Sequence, residues 1–586
     1  MAIQSSAGAP VLNGREVGNG HSPDGGSDNP LLQLGFNIPF GEIRPEHVEP
    51  AVTRLLALVR GRIEAIEDDA SPPTYDNTLG LLDSVTEPLE RAMGAVGHLE
   101  SVMTSAELRD AYNRVRPEVS AFYASIPLRA KLWDRLKAYA ATPESALQSP
   151  ARQRYLKKTM DDFRRNGAEL APPEKARLEA ISRELSELTS HYSQNVVQAT
   201  GAYELLVEDV ARLRGLPEAA RERAKEDATA RGKTGYRLTL QAPSLIPVLT
   251  YAEDASLRQE LYSAFEARAA HGEFDNRPLI LKILELRREQ AKLLGYGDFA
   301  DLVLEDRMAH TGKTARRFVE DLTLKSRPAF EREREALQAF RKTLDGPSAP
   351  ELKPWDLAFY GEKQRQALYD FDAEELRPFF PIQSVIQGLF ETAKRLYGVR
   401  VEPNTTLGRW HADVLAYDLY DADGTFLSAF YADFHPRDEK RDGAWMDGLI
   451  ATTQASTEYP GHLGLICANV TPPSNDRPAL LSHMEVETLF HEFGHLLHLC
   501  LSKGEVRALV GTNVAWDFVE LPSQIMENFC WEREALQSFA RHYETGEPIG
   551  DELFAKMQRA RTYREASAMM RQLGFASVDL ALHIDY

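Results

Sequence analysis

The chain has 586 residues, is 43% hydrophobic, and carries 68 Lys and Arg against 88 Asp and Glu, for a formal net charge of −20. That length buries a large core and favours two or more lobes, and the negative balance argues against a nucleic-acid partner. No run is long and apolar enough to span a membrane, and the odd cysteine set of Cys467, Cys500 and Cys530 fits a reducing cytosol rather than a disulfide framework.

In chain order, residues 1–28 are Gly/Ser-rich with little to bury, so they read as a disordered tail. They lack the basic start and apolar core of a signal peptide. GKTG from Gly232 has the look of a phosphate-binding loop, but Asp227 stands where that loop needs a glycine, and the preceding RERAKED reads as helix. The segment from Pro278 to Gly295 predicts a helix with Asn276 as its cap and the glycine as its stop. The charged stretch from Glu331 predicts a solvated helix face. VLAYDLY from Val414, the turn DADG ending at Gly424 and TFLSAFYADF from Thr425 predict a β-hairpin, and HLGLICANV from His462 predicts a further strand.

The most informative segment is HEFGH at 491–495. A helix brings residues four apart onto one face, so His491 and His495 can aim imidazole nitrogens at one ion, while Glu492 reaches the edge of that face. Ser482 with Glu485 forms a capping box at the start of this helix, and Lys503 with Gly504 is the expected last turn and stop. Val486, Leu489, Phe490, Phe493, Leu496, Leu497 and Cys500 cover much of the remaining circumference, so the helix is expected to be buried on several sides. Buried histidines and a buried glutamate need partners. A catalytic zinc takes three protein ligands and keeps one position open. The metzincin spacing fails, because Leu501 stands where a third histidine would be. Downstream, WDFVELPSQIMENFCWE offers Asp517, Glu520, Glu527 and Glu532 on a second helix, with Asp517 and Glu520 spaced as a cap and Pro522 in the first turn. Glu520, at 29 residues after His491, is the expected third ligand. Glu527 and Gln524 are candidates to orient the histidines, with a solvated face as the plainer reading of Gln524. His435, His462 and His498 read as packing or loop residues, since zinc has three better ligands.

These residues resemble the thimet-oligopeptidase family of zinc peptidases, and so do blocks elsewhere: NPLL from Asn29, IRPEHVEPAV from Ile43, PWD from Pro354 and GAWM from Gly443. The resemblance implies a mainly α fold with two helical lobes around a deep substrate channel, and a small antiparallel sheet beside the zinc-binding helix. It implies a zinc-dependent metalloendopeptidase acting on short unfolded peptides, with one zinc held by His491, His495 and Glu520 and with Glu492 as general base. An N-terminal helical domain over 29–245 and a catalytic domain over 246–586 are expected, in a cytoplasmic monomer. In such peptidases an edge strand pairs with the substrate backbone, so the strand from His462 is either that edge or plain sheet core. The sequence departs from the family at its end: it stops at Tyr586, roughly a hundred residues short of the family length. The expectation is that the segment with a His and several Tyr that stabilises the oxyanion is missing, and that His583 and Tyr586 do not replace it. A dipeptidyl carboxypeptidase of the same family and an inactive zinc-bound peptide-binding relative are the alternatives.

Overall fold

The computed structural model describes residues 29–369, 373–453, 459–473 and 477–586. The stretch 1–28, read above as a disordered tail, lies outside them. Helices dominate. The first, α1 (Pro45–Asp68), buries Val48, Val52, Leu55, Val59, Ile63 and Ile66 along one stripe at helical spacing. Against it pack α2 (Glu87–Val102) and α3 (Ala106–Ser125), followed by α4 (Pro150–Arg165) and the long α5 (Pro172–Ala202). A small antiparallel pair, β1 (Leu205–Val207) and β2 (Tyr236–Leu238), has its own cluster around Leu213, Leu245 and Leu257. The RERAKED segment is helical, within Glu218–Ala230, in keeping with rejection of the phosphate loop.

The predicted helix after Asn276 is α6 (Arg277–Leu293), and Gly295 ends it with a φ of 87°. Asn276 does not cap it. Its buried amide accepts from Asn195 and donates to the Tyr192 carbonyl on α5, a tertiary bond that overrides the local capping preference. After α6 come α7 (Gly312–Asp345), which carries the charged stretch from Glu331, and α8 (Ile382–Tyr397).

The remaining strands form a five-stranded sheet of β3 (Arg400–Pro403), β4 (Leu415–Tyr420), β5 (Phe426–Asp433), β6 (Trp445–Ile450) and β7 (His462–Cys467). Their spatial order is β3-β4-β5-β7-β6. The predicted hairpin is β4–β5, and three of the four strand interfaces are antiparallel; β5 and β7 run parallel. The strand from His462 is therefore interior, flanked on both sides and buried at all six positions. It is sheet core, and the edges are β3 and, beside β7, β6.

Alternation sends successive side chains of this sheet into two cores. Ala429, Tyr431, Leu463 and Leu465 join the cluster of α1, α2 and α3, whereas Phe430, Ala432 and Ile466 join the cluster of α8 and the motif helix α9 (His483–Cys500). Burial on both faces explains the near-continuous apolar runs of β5 and β7. At the end of β5, the fully buried Asp433 accepts from Arg437 at 2.8 and 2.6 Å, Lys440 at 3.0 Å and Trp410 at 2.9 Å. Lys440 also donates to the carbonyls of Asp433, His435 and Ala468. Arg437 reaches the Val102 carbonyl, which ties the chain entering β6 to the end of α2. No helix among the described residues is long and apolar enough to cross a membrane.

Candidate metal centre

Helix α9 begins as its sequence predicts. Ser482 Oγ accepts the Glu485 N–H and the Glu485 carboxylate accepts the Ser482 N–H. Phe490 and Phe493 are at most 1% exposed, so truncating either to alanine costs about 3–5 kcal/mol. The end of the helix differs from expectation. It stops at Cys500, where the Leu501 N–H closes on Leu497, because Ser502 turns to accept the Gly511 N–H; Lys503 and Gly504 lie beyond it.

The second helix, α10 (Leu521–Glu527), starts with Pro522 in its first turn. Asp517 does not cap it, since its carboxylate is taken by the backbone of residues 308 and 309. What lets α10 lie against α9 is Gly494, inside the motif. A Cβ at this position would fall 2.6 Å from Ser523 Cα and 2.7 Å from the Pro522 carbonyl oxygen. A glycine in a helix interior costs roughly 1 kcal/mol against alanine, and here it permits the backbone approach that brings Glu520 to the histidines.

His491 Nε2 lies 3.2 Å and His495 Nε2 3.1 Å from the same atom, Glu520 Oε2. The three donor atoms fall within 4.8 Å of one another. His491 Nδ1 donates to Glu527 Oε1 at 2.6 Å, which fixes the ring's tautomer and leaves the Nε2 lone pair free. Ser523 Oγ steadies Glu520 by donating to its Oε2 at 2.9 Å. Gln524 is exposed and takes no part. His498 sits one turn beyond His495 with its ring against Phe518, as a packed residue. His462 bridges the Thr452 N–H and the Ser502 carbonyl.

Glu492 is 7% exposed, and burial pushes its carboxyl up to about 7. The His491 ring opposes that shift, Glu520 adds to it, and a hydrogen bond from the Met446 N–H of β6 opposes it. The Met446 contact is not legible in the sequence, because it joins the edge strand to the helix across the fold. Two imidazole nitrogens and one carboxylate oxygen, with the Glu520 side chain 53% exposed, form a group of three donors that could hold one metal ion.

Residues 248–586 match the family model described as peptidase family M3, over half of the chain. The chain belongs to peptidase family M3. Residues 52–175 match the N-terminal domain of neurolysin and thimet oligopeptidase. Among curated relatives, oligopeptidase A of Escherichia coli is 40% identical, with 95% of this chain and 83% of that protein covered. Oligopeptidase A of Salmonella typhimurium is 39% identical over the same shares. The dipeptidyl carboxypeptidase of Escherichia coli is 31% identical, with 95% and 82% covered. As an M3 member the chain is a zinc metallo-oligopeptidase, and the cluster of His491, His495 and Glu520 is a group able to hold such an ion.

Proposed function

We propose that the chain is an oligopeptidase A-like endopeptidase that cuts short unfolded peptides, with His491, His495 and Glu520 as the ligands of one zinc ion and Glu492 as general base. The observation that carries the reading is the convergence of two imidazole nitrogens on one carboxylate oxygen, beside a buried glutamate. Bound zinc supplies Lewis acidity, which polarises a carbonyl and makes water acidic near neutral pH. Glu492 takes the proton of the attacking water and hands it to the leaving amine, and burial raises the proton affinity of its carboxyl. Glu527 keeps the His491 ring turned toward the site. The outer edge of β6 offers backbone groups to an extended substrate, so the pairing strand is Trp445–Ile450 and not the one from His462.

The reading extends to a cytoplasmic monomer with helical and catalytic domains over 29–245 and 246–586, two lobes flanking the peptide channel. A relative named probable cytosolic oligopeptidase A supports the compartment. Identity of 39% and 40% to oligopeptidase A, against 31% to the dipeptidyl carboxypeptidase, favours internal cleavage. The test is hydrolysis of a quenched fluorescent peptide with a free or an amidated C-terminus, by the chain and by Glu492→Gln, each with stoichiometric zinc. Equal cleavage of both peptides, abolished by the substitution, supports the endopeptidase. Loss on amidation supports the carboxypeptidase, and zinc binding without cleavage supports a binding protein.

A further inference from the structure

Asp517 stands three residues before Glu520 and is exposed, yet no Lys, Arg or His pairs with it among the described residues. Its two oxygens are instead used on backbone. Oδ1 accepts the Met308 N–H at 2.9 Å and Oδ2 accepts the Ala309 N–H at 3.1 Å, across 209 and 208 residues of sequence. Consecutive amides gripping a carboxylate form charge-assisted bonds of fixed direction. The segment so held is the short connection into α7, where His310 takes a φ of 59°.

Both ends of this link are anchored. On one side, Asp306 lies 3.3 Å from Arg165 of α4, and the Gly312 N–H donates to Asp301 at 2.8 Å. Gly312 also sits so close to α11 (Glu565–Ile584) that a Cβ there would meet Ile584 at 2.9 Å. On the other side, the Phe518 N–H closes on Ala515 and the Leu521 N–H on Phe518, giving the tight turn from which Glu520 reaches the histidines. The turn that presents the carboxylate is therefore fastened to the start of α7 by one side chain.

We propose that Asp517 is a positioning residue that locks the turn carrying Glu520 to the connection before α7, so that the reach of the carboxylate depends on how α7 sits against α9 and α10. Movement of α7 relative to the motif helix pulls on Met308 and Ala309, and through Asp517 it tightens or loosens the third ligand. Asparagine at 517 keeps the shape but offers one acceptor, and its NH₂ confronts an N–H.

The inference rests on Glu520 being a zinc ligand, so the experiment carries its own control. Zinc affinity is measured by competition with a chromophoric chelator for the parent, Glu520→Gln, Asp517→Ala and Asp517→Asn, and the visible spectrum of each cobalt-substituted protein is recorded. Glu520→Gln must weaken zinc; if it binds as the parent does, the ligand assignment falls and this inference falls with it. The expected result for both Asp517 variants is a zinc dissociation constant raised about 10- to 100-fold, with an altered cobalt spectrum. Weakened zinc in Glu520→Gln beside parental affinity and spectrum in Asp517→Asn overturns the inference alone. Should Asp517→Ala not fold, Asp517→Asn decides by the same criteria.

Discussion

Two clusters of charge lie against the same sheet and behave in opposite ways. Around Asp433, each carboxylate oxygen is taken by Arg437, with Lys440 and Trp410 added, and Lys440 spends its remaining donors on carbonyls. Between α9 and α10, two Nε2 atoms aim at one oxygen of a half-exposed glutamate, and a buried glutamate beside them has its carboxyl pushed up. The first cluster is closed within the protein and stabilises the fold. The second gathers three donor atoms that could hold a metal ion, with its charge less fully matched inside the protein, which is the pattern the proposed function requires.

The sharpest break of this contrast is Glu492→Gln, which should lower peptide cleavage about 10²- to 10⁴-fold while one zinc still binds, read by rate and by metal titration. Next is Asp433→Asn, expected to destabilise by about 3–5 kcal/mol in denaturant melts, since Arg437 and Lys440 lose their counter-charge in the interior. Zinc affinity of the folded variant should stay parental. Burial alone would raise the Asp433 carboxyl, but the Arg437 bonds and the Lys440 charge outweigh it and hold it below the usual range. That stabilisation is complete above the ordinary carboxylate pKa and disappears as pH falls through the depressed one.

Smaller effects come from the supports. Glu527→Ala should weaken zinc about 10- to 100-fold by freeing the His491 ring, measured by chelator competition. Gly494→Ala should cost about 1–3 kcal/mol by forcing α10 off α9, and should weaken zinc in the same titration. Acid adds a separate effect at His98, whose ring is buried against Trp410 at 4.2 Å. Burial lowers its pKa to about 3, with Asp433 opposing and Lys440 and Arg437 adding to the shift. The unfolded chain takes up a proton near pH 6.5 and the folded chain does not, so stability should fall on acidification from about 6.5 toward 3, by up to about 1.4 kcal/mol per pH unit. His98→Leu should flatten that slope.

The site was readable because its parts are local. A capped helix with histidines four apart, and a run of acidic residues one loop away, follow from spacing, and the structure brings His491, His495 and Glu520 together with Glu527 on the His491 ring. The hairpin from Val414 was equally local. What escaped depends on contacts between distant segments. Whether the strand from His462 is an edge turns on β6 pairing beside it, and Asn276 and Asp517 abandon capping for partners far away in sequence. The glycine inside the motif was the one unused signal, since a helix former would have served any position that did not face a neighbouring backbone.

Cys467 lies in β7, Cys500 closes α9 and Cys530 follows α10, and all three are free and buried. Burial holds the Cys500 thiol up at about 12 and the other two well above their ordinary value. The native chain thus hides its thiols from alkylating reagents, because the reactive thiolate scarcely exists and nothing can reach it. The rate at which each sulfur becomes labelled is then a clock for the opening of the layer around it, one that reads the sheet, the motif helix and its neighbour separately without any dye being grafted on.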